Sequence, residues 1–232
     1  MKKELTKEIF KRISEKIELV EIEEFKDLER IYTLEGEEVG SLKAYESEKI
    51  EKVSFAEFMP MKGMEYINVT IKPRPNFNIP MYSFNYNVMA EQKKIQFDVD
   101  LYPAVDLAIR QDYIDKYYEP LTEIYLKEKN ASYFNWRLSN RSWVRATASP
   151  YFFMSATDLE NEEKVWSLFY KYLDAEMKII EEEKAVSDEE AKQIAYRRSY
   201  MIKIMFEREP ERKWLEKTFG KEVADKLARA MV

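Results

Sequence analysis

The 232-residue sequence contains no cysteine and no histidine. Disulfides, iron–sulfur clusters, structural zinc sites, His-ligated haem, Cys nucleophiles and Ser-His-Asp triads are therefore excluded, because each needs a thiolate or an imidazole. We expect no metal site. A catalyst built on this chain must use carboxylates, amides, tyrosine or arginine.

Glycine is almost as scarce, with only Gly36, Gly40, Gly63 and Gly220. A phosphate-cradling loop and a dinucleotide-binding fingerprint both need glycines a few residues apart. Neither motif can be assembled from four glycines so widely spaced. The sequence therefore encodes no recognisable nucleotide or flavin site.

Long apolar runs and excess positive charge are also missing. No run of about 18 uncharged apolar residues could cross a bilayer, and residues 1–20 resemble neither a signal peptide nor a transit peptide. The net charge of −6 disfavours a general nucleic-acid binder. We expect a monomer in the cytoplasm, or in the plastid stroma if this is a mature organellar chain, with no membrane or nucleic-acid partner.

The residue pattern predicts an α+β fold in one domain, since 232 residues suit a single core. Apolar residues at three- and four-residue spacing predict a helix over 5–17, and a helix over 105–127 broken near Pro120. Short segments rich in Val, Ile, Tyr and Phe predict a meander with strands at 31–34, 53–59, 66–71, 81–90 and 95–101. One more strand is expected around 142–147.

Helix boundaries can be predicted in the second half of the chain. Thr157 with Glu160, and Ser187 with Glu190, fit the capping box in which each side chain satisfies a free backbone N–H of the first turn. Gly220 is expected to end a helix in a left-handed cap. A meander followed by helices predicts a three-layer α/β/α sandwich with a central, largely antiparallel sheet flanked by helices.

Several segments, in their order and spacing, resemble a known family. The sequence is similar to the ferredoxin-dependent bilin reductases at INVTIKP (67–73), NFNIPMYSFN (76–85), FDVDLYP (97–103) and REPERKWLEKTFG (208–220). It resembles their relative, red chlorophyll catabolite reductase, at RPNF (74–77), DYIDKYY (112–118), Val144-Arg145, Ser149-Pro150 and FGKEV (219–223).

The resemblance implies an oxidoreductase that reduces an open-chain tetrapyrrole, a biliverdin-type bilin or the red chlorophyll catabolite, at a CH–CH group. It also implies that the whole chain, 1–232, is one bilin-reductase-like domain with no bound cofactor. Reduced ferredoxin would be the external donor, delivering electrons singly, while the protein supplies protons. Two alternatives stay open: a non-catalytic tetrapyrrole carrier of the same fold, and an acidic protein-interaction domain.

The resemblance implies two catalytic residues. Glu209 stands where the family has a helix-borne aspartate, and burial beside an apolar ligand would raise the pKa of such a carboxyl so that it donates a proton near neutrality. A solvated surface glutamate beside Arg208 and Arg212 is the other interpretation. Asn85 aligns with a sheet position that is aspartate in several bilin reductases and asparagine in the phytochromobilin-forming branch, where it would hydrogen-bond the lactam system.

The predicted substrate-binding residues come from the matched segments and the strand before them. Asn68 aligns with a histidine of the phycocyanobilin-forming branch and an asparagine of the phycoerythrobilin-forming ones. Arg145 is the first choice for a propionate, ahead of Arg137 and Arg141. The remaining candidates are Glu57, as a second carboxyl, with Tyr82 and Arg212.

Docking of acidic ferredoxin would require a positive rim despite the net negative charge. Lys72, Arg74, Lys93 and Lys94 are the candidates, because they flank the turn and hairpin that carry the aligned site residues. The alternative is that they are ordinary solvated charges at strand ends.

Overall fold

The computed structural model describes residues 3–209 and 212–232. In these residues the centre is an antiparallel sheet of nine strands in the order β1-β3-β4-β5-β6-β7-β9-β8, with β2 also paired to β3. The strands are β1 (Val20–Glu21), β2 (Ile31–Tyr32), β3 (Glu38–Glu46), β4 (Ile50–Met61), β5 (Met64–Pro73), β6 (Met81–Met89), β7 (Lys94–Tyr102), β8 (Asn135–Trp136) and β9 (Phe153–Asp158).

The eight α-helices of the described residues lie before, between and after these strands. They are α1 (Lys3–Ser14), α2 (Gln111–Tyr113), α3 (Thr122–Lys129), α4 (Ser142–Thr147), α5 (Glu162–Glu182), α6 (Asp188–Arg208), α7 (Arg212–Phe219) and α8 (Lys221–Met231). A π-helical turn, Ile114–Tyr118, and a 3₁₀ turn, Glu119–Leu121, join α2 to α3. None of the helices described is long and apolar enough to span a membrane.

Strands β4 to β7 form the predicted meander because each lies antiparallel beside the next strand of the chain. Gly63 adopts φ 80°, a left-handed conformation that costs little without a Cβ, in the tight turn between β4 and β5. Side chains then alternate between the two faces along every strand. One face buries apolar rings such as Phe84, whose ring centroid lies 4.7 Å from that of Phe169 on α5.

The two faces are covered by different helices, which confirms the three-layer α/β/α sandwich. Helices α1 and α5 and the α2–α3 segment pack on the Phe84 face and build the larger core. Helices α7 and α8 cover β3 and β4 on the opposite face, around Leu42, Ala56 and Phe58. Helix α6 covers the end of β6 and β7 on that opposite face, where Met201 and Met205 pack on Tyr102.

Buried basic side chains attach this second helical layer to the sheet. Arg198 of α6 is 4% exposed and donates hydrogen bonds to the carbonyls of Pro73 and Ile79. Lys52 of β4 donates from Nζ to the carbonyls of Arg229 and Val232, at the carboxyl end of α8. Because a buried charge without such partners would be strongly destabilising, these contacts hold α6 and α8 in place.

Two of the predicted caps are confirmed. Ser187 Oγ accepts a hydrogen bond from Glu190 N at 3.3 Å and begins α6. Gly220 has φ 79° and ends α7, with its N–H bonded to the carbonyl of Glu216 at 3.0 Å. In both cases the determinant is local, so a short motif is enough to predict it.

Three local predictions were wrong. Residues 142–147 form α4, where the Ala148 N–H bonds to the Val144 carbonyl, and not a strand. Thr157 lies in β9 and donates to the carbonyl of Tyr133, so sheet pairing overrides its capping motif and α5 begins only at Glu162. The helix expected over 105–127 begins at Gln111. Strand β3 was not predicted.

Candidate functional site

Three polar side chains cross the sheet on the face covered by α6, α7 and α8. Asn68 of β5 is paired with Asn85 of β6, and Asn85 is paired with Asp98 of β7. Directly opposed residues on neighbouring strands share a face with Cβ atoms about 5 Å apart. Asn68, Asn85 and Asp98, which we call the polar row, therefore form a continuous line between Ala56 and Met154.

Asn85 connects the members of the polar row. Its Oδ1 accepts hydrogen bonds from Asn68 Nδ2 at 3.0 Å and from Tyr66 OH at 2.7 Å. Its Nδ2 donates to Asp98 Oδ1 at 2.9 Å. Two donors face the oxygen and one carboxylate faces the nitrogen, so the orientation of the amide is determined by its neighbours. The amide holds one oxygen of Asp98 in place.

The surroundings of Asp98 only partly stabilise its negatively charged form. Its side chain is half-buried, and desolvation raises its pKa to about 6 although the Asn85 hydrogen bond and the charge of Arg141 both lower it. Burial penalises the charged form of a carboxyl, which is why it dominates here. Asp98 can therefore carry a proton in mildly acidic solution and release it near neutrality.

Asp100, two residues along β7, has a different environment. It is 1% exposed, and both its oxygens accept hydrogen bonds from Ser149, one from the backbone N–H at 2.9 Å and one from the hydroxyl. Desolvation is again the main cause that raises its pKa, to about 7. Asp100 anchors the turn before β9 to the sheet.

The helical side of the site is formed by Glu209 and Arg141. Glu209 follows the last turn of α6, and its Oε1 accepts a hydrogen bond from Arg141 NH1 at 2.9 Å. Both side chains are 39% exposed. The positive charge of Arg141 also lowers the pKa of Asp98, so Arg141 acts on both the helix carboxylate and the sheet carboxylate. Pro210 and Glu211 of the same sequence motif lie outside the described residues.

Glu57 and Tyr82, both predicted to contact substrate, lie on the other face of the sheet. Glu57 is paired with Ile67, one position away from Asn68, and accepts a hydrogen bond from Thr6 of α1 at 3.1 Å. Tyr82 is fully buried, donates to the carbonyl of Phe169, and has a pKa raised well above its usual value by burial. Because successive side chains of a strand point to opposite faces of the sheet, Glu57 and Tyr82 lie on the face opposite the polar row.

The two predicted arginines differ in how fully they are engaged. Arg145 is exposed on α4 and donates from NH1 to the carbonyl of Ser139. Arg212 of α7 forms ion pairs with Glu216 at 3.2 Å and Asp225 at 2.6 Å. Arg212 therefore joins α7 to α8, whereas Arg145 is exposed and makes no ion pair in the part of the chain that the structure describes.

The four basic residues predicted for ferredoxin docking do not form one rim. Lys72 and Arg74 lie at the end of the meander where β5 meets β6, and Lys93 and Lys94 lie at the opposite end. Eight residues along β7 separate the two levels, or roughly 26 Å at the rise of a strand. Lys72 pairs with Glu51 at 2.9 Å, and the same kind of contact engages Arg74 with Glu46 and Lys94 with Asp158.

A cavity of about 580 Å³ lies beside α6, away from the polar row. It is lined by residues 104–106, 109 and 110, the end of α4 and one side of α6. Met201, which packs on Tyr102, forms part of the wall of this cavity. Within residues 3–209 and 212–232, no group of three or more carboxylates is placed to bind a metal ion.

Asp98, Arg141 and Tyr66 were not selected from the sequence as site residues. The alternation of Asp98 and Asp100 with apolar residues in FDVDLYP was a usable signal, because it puts both carboxylates on one face of the strand. In the sequence Arg141 is only an alternative to Arg145 for binding a propionate. Nothing local identified Tyr66.

The family model for ferredoxin-dependent bilin reductases matches residues 6–232. The chain belongs to that family. A solved structure of phytochromobilin synthase from tomato, in complex with biliverdin, superposes with a TM-score of 0.87 at 18% identity, covering 98% of this chain and 81% of the tomato chain. At that identity the likeness shows the shared fold. No curated protein matches the sequence significantly.

Proposed function

We propose that this protein reduces an open-chain tetrapyrrole of the biliverdin type by sequential electron and proton transfers, with reduced ferredoxin as the electron donor. The observation that carries the proposal is the placement of two carboxylates, Asp98 from the sheet and Glu209 from the helices, around Arg141 in a member of this family. Such a pair can serve a substrate lying between the sheet and α6.

In this proposal the polar row receives the pyrrole rings. Beside the hydrogen bonds they already make, Asn85 keeps one side-chain N–H, which suits a lactam oxygen, and Asn68 Oδ1 keeps one lone pair, which suits a pyrrole N–H. Arg145 on α4 binds a propionate, because a guanidinium can contact a carboxylate through two parallel hydrogen bonds. The contacts that Arg212 already makes with Glu216 and Asp225 leave it a structural role.

Glu209 donates a proton from the helical side. Reduction of one double bond consumes two electrons from ferredoxin and two protons from the protein, so an acid must stand next to the bilin. A positioned general acid typically accelerates such a step by about 10² to 10⁴-fold. The contact with Arg141 stabilises the Glu209 carboxylate that remains after the transfer.

The first experiment mixes the purified protein with biliverdin and records the absorption spectrum. A shifted spectrum at micromolar protein indicates a tetrapyrrole site, and an unchanged spectrum counts against it. Reduced ferredoxin is then added without oxygen, and the products are separated by chromatography. Loss of biliverdin with a new reduced bilin supports the enzyme, whereas a bound bilin that persists unchanged indicates a carrier.

The second experiment compares Glu209→Gln with Glu207→Gln. The amide introduced by Glu209→Gln keeps an oxygen for Arg141 but cannot donate an acidic proton, so turnover should fall about 100-fold while a bilin radical accumulates. Glu207 is exposed on the last turn of α6, where it pairs with Lys203 at 3.9 Å, and serves as the matched control. Product kinetics of Glu209→Gln equal to those of the control would remove Glu209 from the mechanism.

A further inference from the structure

We propose that Asp98 is the sheet-side proton donor of this bilin site and that Asn85 is its positioning residue. The inference rests on the function proposed above. It assigns an acid to β7, one strand away from the sheet position at which several family members carry aspartate and this chain carries Asn85.

The Asp98 carboxyl is fixed through one of its oxygens and can contact a ligand through the other. Asn85 Nδ2 binds its Oδ1 at 2.9 Å. In the part of the chain that the structure describes, no group donates a hydrogen bond to the other oxygen, Oδ2. The side chain remains half-buried on the face covered by α6, and not sealed in the core. One oxygen is thus oriented, and the second is left for a ligand.

The neighbouring polar groups on this face are unsuited to the same role. Asn85 and Asn68 are amides, which donate hydrogen bonds but not acidic protons. Both oxygens of Asp100 are occupied by Ser149. Tyr66 directs its hydroxyl to Asn85 Oδ1 at 2.7 Å. Among the described carboxyls of the meander, Asp98 is therefore the one joined to the polar row with an oxygen to spare.

The chemical step balances with the proposed donor. One electron from reduced ferredoxin converts the bound bilin to its radical anion; the Asp98 O–H bond then breaks, and the proton forms a new bond to the bilin. The products are a neutral radical and the Asp98 carboxylate. A second electron and a second proton, from Glu209, complete the reduction of one double bond, and water reprotonates both carboxyls.

The charged and titratable groups near Asp98 suit this cycle. Arg141, from the segment before α4, stabilises the carboxylate after proton transfer, while the negative charge of Asp98 raises the pKa of Asp100 on the same strand. The Asn85 amide hydrogen-bonds the carboxylate and limits how far its pKa rises. A general acid is most effective when its pKa lies near the pH of the reaction, and the pKa of Asp98 is about 6.

The test compares Asp98→Asn with wild type and with Asp115→Asn, an exposed exchange on the opposite helical layer. Biliverdin binding is read from the absorption shift, radical formation from electron paramagnetic resonance, and product by chromatography. We expect Asp98→Asn to bind biliverdin and form the radical normally but to lose the radical about 100-fold more slowly. Asp115→Asn should match wild type.

The outcomes separate the two proposals. Wild-type protein that neither shifts biliverdin nor reduces it defeats the proposed function. A reducing wild type together with an equally fast Asp98→Asn overturns only the assignment of Asp98.

A second variant, Asn85→Asp combined with Asp98→Asn, covers the case in which Asp98→Asn alone does not fold. It moves the carboxylate by one strand within the polar row. Turnover within about 10-fold of wild type supports a sheet carboxylate as donor, because general acids contribute at least about 10²-fold. A double variant that binds biliverdin but is about 100-fold slower or worse overturns the proposal.

Discussion

Replacing Asp98 with asparagine should change how the stability of the folded protein depends on pH, independently of any substrate. The carboxyl has a pKa of about 6 in the folded protein against an ordinary value of 3.8, mainly because of desolvation. An asparagine side chain can still accept the Asn85 hydrogen bond through its oxygen and has no charge to desolvate. The variant therefore removes the titration while preserving the contact.

The direction in which the free energy of unfolding changes with pH follows from proton binding. Between pH 3.8 and about 6 the folded wild-type protein binds more protons at Asp98 than the unfolded chain does, so its free energy of unfolding falls as pH rises through that interval. The shift of about two pH units corresponds to about 3 kcal/mol. Solvent screening at a half-buried side chain reduces this, and we expect about 1.5 kcal/mol.

The assay is urea unfolding of wild type, Asp98→Asn and Asp115→Asn at about pH 4.5 and about pH 7.5, on either side of most of the Asp98 titration. Asp98→Asn should gain about 1 kcal/mol relative to wild type between the two pH values, because roughly two thirds of the Asp98 effect lies above pH 4.5. Asp100 titrates in all three proteins, and loss of the Asp98 charge lowers its pKa slightly, which acts in the same direction. Equal pH dependence in wild type and Asp98→Asn would refute the argument.

Two further predictions concern contacts that stabilise the sheet. Ser149→Ala should lower the free energy of unfolding by about 2 kcal/mol in urea titrations at neutral pH, because Asp100 loses the hydroxyl donor and keeps only the backbone N–H. A loss below about 0.5 kcal/mol would contradict a structural role for this contact. Gly40→Ala should lower the free energy of unfolding by about 2 kcal/mol or more, because an added Cβ would lie 2.2 Å from the Glu57 carbonyl oxygen. A variant as stable as wild type would show that β3 can shift to make room for the Cβ.

Those parts of the fold that depend on local patterns could be predicted from the sequence. The alternation within β4 to β7 indicates strands wherever it occurs, and a glycine such as Gly63 or Gly220 marks a position where the backbone needs a positive φ. Residues 142–147 were misassigned because Trp, Val and Thr favour strands, whereas the chain there crosses between β8 and β9 without a partner strand. Tertiary context overrides propensity in so short a segment.

The candidate site was only partly predictable, for a similar reason. Asn68, Asn85 and Glu209 were identified by resemblance, and the structure places all three on one side of the sheet. The sequence does not identify Arg141 and Asp98, because their contacts with these residues connect distant positions: Arg141 meets Glu209 across 68 residues of sequence. No spacing rule covers contacts of that kind.

By itself, the sequence determined which chemistry is available. A chain without thiol, imidazole or glycine-rich loop is left with carboxylates, amides, tyrosine and arginine, and its alternating segments already specify an antiparallel meander. Only the tertiary structure decided which of those groups meet. The register between β5, β6 and β7 brings Asn68, Asn85 and Asp98 into one row and turns Glu57 to the other face, because a shift of a single residue reverses the side of the sheet on which a side chain lies.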